Sequence, residues 1–420
     1  MSLNCVIEEW TKTKGEIRVS ELLKKQGKYP YAILYGNGNY TIYGNRPIKT
    51  FNNLPPEYTF ERRGTTPPFF PDFIGFLTYE YAYRFDTKLP SFELSDFPHA
   101  LFFLFEKTIV FDRKNKTIFQ CKRRIENPDT LYPINQYSQA FSAKFAKSTE
   151  TEKTYREKVA FIKGEIKKGN VYQVNLTRQE EWEFTGNVKE FALNLYSLNP
   201  AEFSAILEFT FNGKKHAIIS SSPERFFKIS GNTIISEPIK GTINREENSD
   251  GDEYLKNQLL NSEKDLAELA MITDLIRNDL TMVCRCPSVY VEKYPALMEL
   301  TNVFHLYSII KGNLKERDME KIFRKIFPGG SITGCPKLAA MNYIYQLEKM
   351  PRHIYTGSIG WFKEDGTQAD FNIAIRTAYT IENKLYFGVG GGIVIDSDEK
   401  KEYLETVYKA KSIRKCLENS

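Results

Sequence analysis

The stretch Ser220 to Thr242, SSSPERFFKISGNTIISEPIKGT, constrains the chain more than any other. Two short alternating runs, Phe226 to Ile229 and Thr233 to Ile235, flank Ser230-Gly231-Asn232. Alternation of apolar and polar residues makes a half-buried strand, and a three-residue linker with glycine between two such runs predicts a β-hairpin. A hairpin returns the chain on itself, so Glu224 and Lys240, at the two ends, come to face a common space. A carboxyl group and an amine so placed can form a surface ion pair, which contributes little. They can also act as proton donor and nucleophile, provided that the lysine reacts as the neutral amine. Spacing alone leaves both open.

The rest of the composition narrows the class. With 420 residues, 41% hydrophobic and 26% charged, the chain can build a large core and has length for two or three domains. The 58 basic and 53 acidic residues leave +5, too even a balance for a nucleic-acid or membrane surface. No run reaches about 18 apolar residues, and the first residues lack the apolar core of a signal peptide. Six dispersed cysteines without a CxxC pair give neither a zinc pattern nor a disulfide framework. These features predict a cytoplasmic protein.

Residues 1 to 148 read as short aromatic strands: Tyr31 to Tyr35, Tyr40 to Tyr43, Leu101 to Phe105, Thr108 to Phe111 and Thr117 to Cys121. Polar Ser138 to Lys153 reads as a linker, and Thr154 opens a helix with Tyr155, Val159, Ile162 and Ile166 on one face. A strand, Val171 to Thr177, follows. Ser262 and Asp265 form a capping box at the start of a helix striped by Leu266, Leu269, Ile272 and Ile276. Asp265 and Glu268 project from one side of it. A short helix spans Glu316 to Phe327. The loop Pro328 to Lys337 holds three glycines ahead of another helix that runs to about Met350, and its amides offer an anion seat. Tyr355 to Trp361 forms a strand, and Asp370 to Thr377 pairs with Lys384 to Val389. Gly390-Gly391-Gly392 lets backbone approach a ligand closely. The last helix carries Glu402, Glu405 and Lys409 on one face, an ordinary solvated stripe unless a site lies beneath it.

SSSPERF with PIKGT, GxVYQVNLT at Gly169 to Thr177, Asp265-x-x-Glu268 before DLIRND, and PGGSITGCPK together resemble the chorismate-utilising enzymes. That family includes anthranilate synthase component I, isochorismate synthase and salicylate synthase. The resemblance is tight from about 150 to 412 and looser before, where Gly75 to Glu80 is similar to a GxxxYE segment. It implies an α+β fold: a large antiparallel β-sandwich with flanking helices and an active site in a cleft between the two halves. It also implies an N-terminal region, 1–148, and a chorismate-binding catalytic region, 149–420. The tryptophan site of several members, marked by Leu-Glu-Ser, has Leu34-Tyr35-Gly36 at its nearest counterpart here.

The roles implied by resemblance are specific. Glu224 is the general acid and Lys240 the nucleophile. Gln173, Gly241, Thr242, His305, Tyr355, Arg376, Gly390, Gly391 and Lys409 bind substrate. Glu268 and Glu405 hold Mg²⁺, with Asp265 and Glu402 as supporting carboxylates. Three positions depart from the family without removing a carboxylate: Leu269 replaces a histidine, and Thr281-Met282 replaces Gly-Arg. Glutamine at 173 cannot act as a base, unlike the lysine with which isochorismate and salicylate synthases activate water, so ammonia is the expected nucleophile. Lys240 resembles the aminodeoxychorismate synthase component I branch, whereas anthranilate synthases usually carry alanine. The implied reaction makes 4-amino-4-deoxychorismate from chorismate and ammonia, toward p-aminobenzoate and folate. No cysteine lies in a Gly-x-Cys-x-Gly elbow, so the implied ammonia source is a separate glutamine amidotransferase subunit. The alternatives are anthranilate formation and a chorismate-fold protein that binds without catalysis.

Overall fold

In the computed structural model the described residues are 5–24, 28–35, 39–90, 94–130, 133–134, 140–246, 249–299, 303–348 and 350–418. The expectations at Gly36, at Ser138 and at Thr301-Asn302 fall outside them. Twenty-one strands among these residues join in one hydrogen-bonded sheet, antiparallel except where Cys5–Lys14 runs parallel to Thr59–Gly64. Eight α-helices flank it, the mixed α+β architecture expected. Among the described residues no helix is long and apolar enough to cross a membrane.

The hairpin forms as its sequence predicts. Arg225–Ser230 pairs with Thr233–Glu237, and Gly231 takes φ +64° at the turn. Asn212-Gly213 turns the chain between Phe203–Phe211 and Lys214–Ser222, both residues with positive φ, as a tight hairpin turn of matching twist requires. Thr233–Glu237 and then Ile239–Asn244 both pair with Val303–Asn313. Helix Glu263–Val283 packs on that pair, and the final helix, Glu399–Glu418, packs on Lys384–Ile393. The core beneath is aromatic: Phe227, Phe323, Phe362 and Phe371 form one buried cluster with Phe102.

Several local readings are corrected. Leu101 to Phe105 and Thr108 to Phe111 are one strand, Ala100–Asp112, since nothing in Glu106-Lys107 forces a turn. The polar segment read as a linker contains a strand, Ser142–Ser148, which pairs only with Gln173–Thr185 among the described residues. A strand covered on one side tolerates such polarity. The helix after it starts at Glu152, with Thr151 as N-cap and Thr154 completing the box. Asp370 to Thr377 is not one strand. Gln368–Asn372 pairs with Ser358–Phe362, whereas Thr377–Ile381 pairs with Lys384–Ile393. The break falls at Arg376, whose φ is +50°.

Candidate active site

Glu224 stands between Lys214–Ser222 and Arg225–Ser230, buried against Phe226, Ile276 and Ile373. Its backbone is fixed by Ile373 N–H donating to Glu224 O at 3.0 Å, and Ser331 Oγ donates to Oε1 at 3.3 Å. Burial pushes the carboxyl up to about 7. Lys240, the Ser331 hydroxyl, the Ile239 amide and Lys409 pull the other way without overcoming it. At neutral pH the group therefore keeps its proton in about half the molecules, the state of a general acid.

Lys240 lies on Ile239–Asn244. The ladder with Val303–Asn313 shifts register between Lys240 and Thr242, at Gly241 with φ +73°. A glycine bulge of this kind re-aims the side chain beside it. A Cβ at Gly241 would lie 3.0 Å from the Asp265 Cβ, so the strand passes the helix with no room for a side chain. Lys240 Nζ stands 3.8 Å from Glu268 Oε2, and Lys264 Nζ stands 3.8 Å from Glu268 Oε1.

The final helix brings a second carboxylate pair. Burial alone would raise Glu405, but Lys409, Lys240 and Lys264 hold it below the ordinary range. Burial raises Glu402, which accepts from Ser397 Oγ at 2.7 Å. Lys409 Nζ reaches Glu405 Oε1 at 2.6 Å and Gly390 O at 2.9 Å. Asp265 is occupied as part of the helix cap: Ser262 Oγ donates to its Oδ2 at 2.5 Å.

These four carboxylates offer only oxygen, the donor set of a hard divalent cation. A Cβ at Gly391 would sit 3.2 Å from Glu402 Oε2 and 3.5 Å from Glu405 Oε1, so the missing side chain keeps open the space that both face. The residues fit Mg²⁺ in chemistry and access. Among the described residues no three His, Cys, Asp or Glu side chains gather at metal-holding range, and Lys240, Lys264 and Lys409 carry the counter-charge.

The remaining predicted residues have these surroundings. Thr242 Oγ1 and His305 Nδ1 are 2.7 Å apart. Burial, then the Arg376 charge, pushes His305 down to about 4, so its ring is neutral. Arg376 Nη1 donates to Asn199 Oδ1 at 3.3 Å, and burial lowers its pKa. Tyr355 is buried, which pushes its hydroxyl up to about 12, and it bonds Thr177 opposite Gly390. Gln173 is buried with its Nε2 unpartnered among the described residues, 2.8 Å from where a Gly392 Cβ would lie.

Sequence reasoning missed Ser331 as the partner of Glu224, and missed Asn199 and Lys264. Ser331 lies in the glycine-rich loop read as an anion seat. In the structure Gly329 packs against Phe226 and Ile373, Gly330 against Leu275, and the loop delivers the serine to the acid.

The family model described as chorismate binding enzyme matches residues 24–415. The chain is 33% identical over 374 residues to aminodeoxychorismate synthase component 1 of Bacillus subtilis, covering 84% of this chain and 78% of that protein. It is 32% identical over 347 residues to anthranilate synthase component 1 of Saccharolobus solfataricus, covering 82% and 80%. The fold matches menaquinone-specific isochorismate synthase of Escherichia coli with TM-score 0.75 at 17% identity, covering 98% and 94%. It matches anthranilate synthase component I of Streptococcus pneumoniae with TM-score 0.68 at 24% identity, covering 96% and 92%. The chain belongs to the chorismate binding enzyme family.

Proposed function

We propose that this protein converts chorismate and ammonia to 4-amino-4-deoxychorismate, with ammonia supplied by a separate glutamine amidotransferase subunit. The observation that carries the reading is Lys240. It stands on a glycine bulge beside Glu268 and close enough to Glu224 to act on its carboxyl.

Glu224 gives its proton to the C4 hydroxyl, which leaves as water. The neutral Lys240 amine attacks C2, and the ring double bonds shift toward C4. Ammonia then bonds to C4, the double bonds shift back, and the C2–lysine bond breaks. The proton lost by the incoming nitrogen restores Glu224. Arg376 offers a planar fork to a substrate carboxylate, which it can grip through two N–H groups. Thr242 and neutral His305 present a hydrogen-bonding edge beside it, and Gln173 contributes an amide that cannot activate water. Glu268 and Glu405, supported by Asp265 and Glu402, would hold Mg²⁺. Bound there, the ion would supply Lewis-acid chemistry toward a substrate carboxylate.

The similarity to the S. solfataricus protein keeps the 2-amino product as the second reading. One incubation separates them: purified chain, chorismate, Mg²⁺ and an ammonium salt, with products resolved by chromatography and mass. The 4-amino product is expected. Lys240→Ala should lose it by about 10²-fold or more, in the range of groups that act in the transition state. An adduct on Lys240 should accumulate when ammonia is withheld. Wild-type yield of the 4-amino product from Lys240→Ala would remove the lysine from the nucleophile's role.

A further inference from the structure

One buried guanidinium touches three segments of the site that are far apart in sequence. Arg352 is 1% exposed. Its Nε and Nη2 donate to Glu348 Oε2 and Oε1 at 2.7 and 2.6 Å. The same fork also reaches outward. Nη1 donates to Ile332 O at 3.0 Å and Nη2 to Asn175 O at 2.8 Å. Glu348 Oε1 accepts from Thr177 N–H at 2.8 Å, and Tyr355 N–H donates to Arg352 O at 3.1 Å.

Each contact lies next to a working residue. Ile332 follows Ser331, which holds Glu224. Asn175 lies on the strand that begins at Gln173. Thr177 bonds Tyr355 and faces Gly390. The first half of the chain closes over the arginine. The Tyr79 ring centroid lies 4.5 Å from its guanidinium carbon, and Glu80 Oε1 accepts from Arg352 N–H at 2.7 Å. Tyr79 and Glu80 end the GxxxYE segment, which otherwise has no task in the reaction.

We propose that Arg352, clamped by Glu348 and sealed by Tyr79 and Glu80, is a positioning residue that sets the loop of Ser331 against the segments of Gln173 and Tyr355. A pair that served burial alone would be complete with Glu348. The rigid planar fork of arginine fixes the directions of its other donors, so it transmits position where a lysine would not. The inference rests on the assignment of chorismate chemistry to these side chains.

The test is the double variant Arg352→Met with Glu348→Gln. It removes both charges at similar volume, strands neither, and keeps an oxygen for Thr177 N–H. On chorismate consumption, kcat should fall about 10²-fold, the cost of roughly 1 Å of misplacement. KM should rise by less than kcat falls, because Arg376, Thr242 and His305, which also bind substrate, make no contact with the clamp. Hydrogen exchange read by mass spectrometry should quicken at residues 330–333 and 173–177 and not at 31–35. Arg352→Lys, which keeps the charge and loses the fork, should resemble the double variant. Wild-type kcat or unchanged exchange at both segments in the folded double variant overturns the proposal. If that variant fails to fold, Tyr79→Leu replaces it, and unchanged exchange there overturns the proposal equally. A wild type that makes another product sinks the product assignment alone, since consumption and exchange still read the clamp.

Discussion

In the first half of the chain Glu8 and Arg123, both fully buried, meet at 2.6 Å, and Arg62 reaches Glu8 at 2.9 Å and Asp72 at 2.6 Å. In the cleft Lys240 and Glu268 stand 3.8 Å apart with side chains 22% and 30% exposed. The chemistry of the partners is the same, yet the geometry is not. Charges buried at contact distance have no alternative partner, so they hold strands Cys5–Lys14, Thr59–Gly64 and Thr117–Arg124 in one arrangement. Charges at long separation, open to water, can exchange a neighbour for an incoming ligand. Burial marks the structural pairs here, and access to water marks those of the site: even Lys409 and Glu405, 2.6 Å apart, have side chains 45% and 47% exposed.

The comparison breaks first at Glu224, a deeply buried cleft carboxyl for which no arginine or lysine among the described residues stands at contact distance. Glu224→Gln should lose about 10²–10⁴-fold in kcat if the group is the general acid, with no fall in melting temperature. A variant near wild-type activity would assign Glu224 to packing. Arg123→Met should behave inversely. It leaves Glu8 and Asp72 with one cation fewer, so unfolding in urea should show about 3–5 kcal/mol less stability. The surviving folded protein should keep its kcat. A stable Arg123→Met would mean that the first cluster is as loosely held as the second. Glu405→Gln sharpens the rim. Calorimetric titration of Mg²⁺ should show affinity down roughly tenfold or more, about 1.4 kcal/mol, and equal affinity would take the final helix out of metal binding.

The smallest effect needs no mutation. Only protonated Glu224 can donate, and its carboxyl is held at about 7. The donor fraction therefore falls as pH rises through that value, and kcat/KM should decline about tenfold per pH unit beyond it. A flat profile between pH 6 and 9 would place the proton donor elsewhere.

Much of this was legible because it is local. The hairpin and its Gly231 turn follow from alternation and turn chemistry, and the Ser262 cap follows from spacing. The candidate site residues were named from motif resemblance, and the fold brings Lys240 and Lys409 within electrostatic reach of both Glu224 and Glu405. What stayed hidden depends on tertiary partners. Ser142–Ser148 is too polar to read as a strand until its neighbour is known. Ser331 gives no sign of serving Glu224, because more than a hundred residues separate them. The break at Arg376 is invisible because a positive φ on arginine has no sequence signature.

The interleaving of the sheet has a consequence for the cell that makes this protein. Tyr31–Tyr35 pairs with Phe203–Phe211, and Phe73–Leu77 pairs with Ser358–Phe362. A ribosome working at about 5–20 residues per second delivers those partners tens of seconds after the early strands have emerged. Until then the nascent chain presents apolar, unpaired strand edges, the surface on which chains aggregate. Yield should therefore depend on chaperones that shelter the first half during translation, and on slow translation before Phe203 being no slower than that shelter lasts.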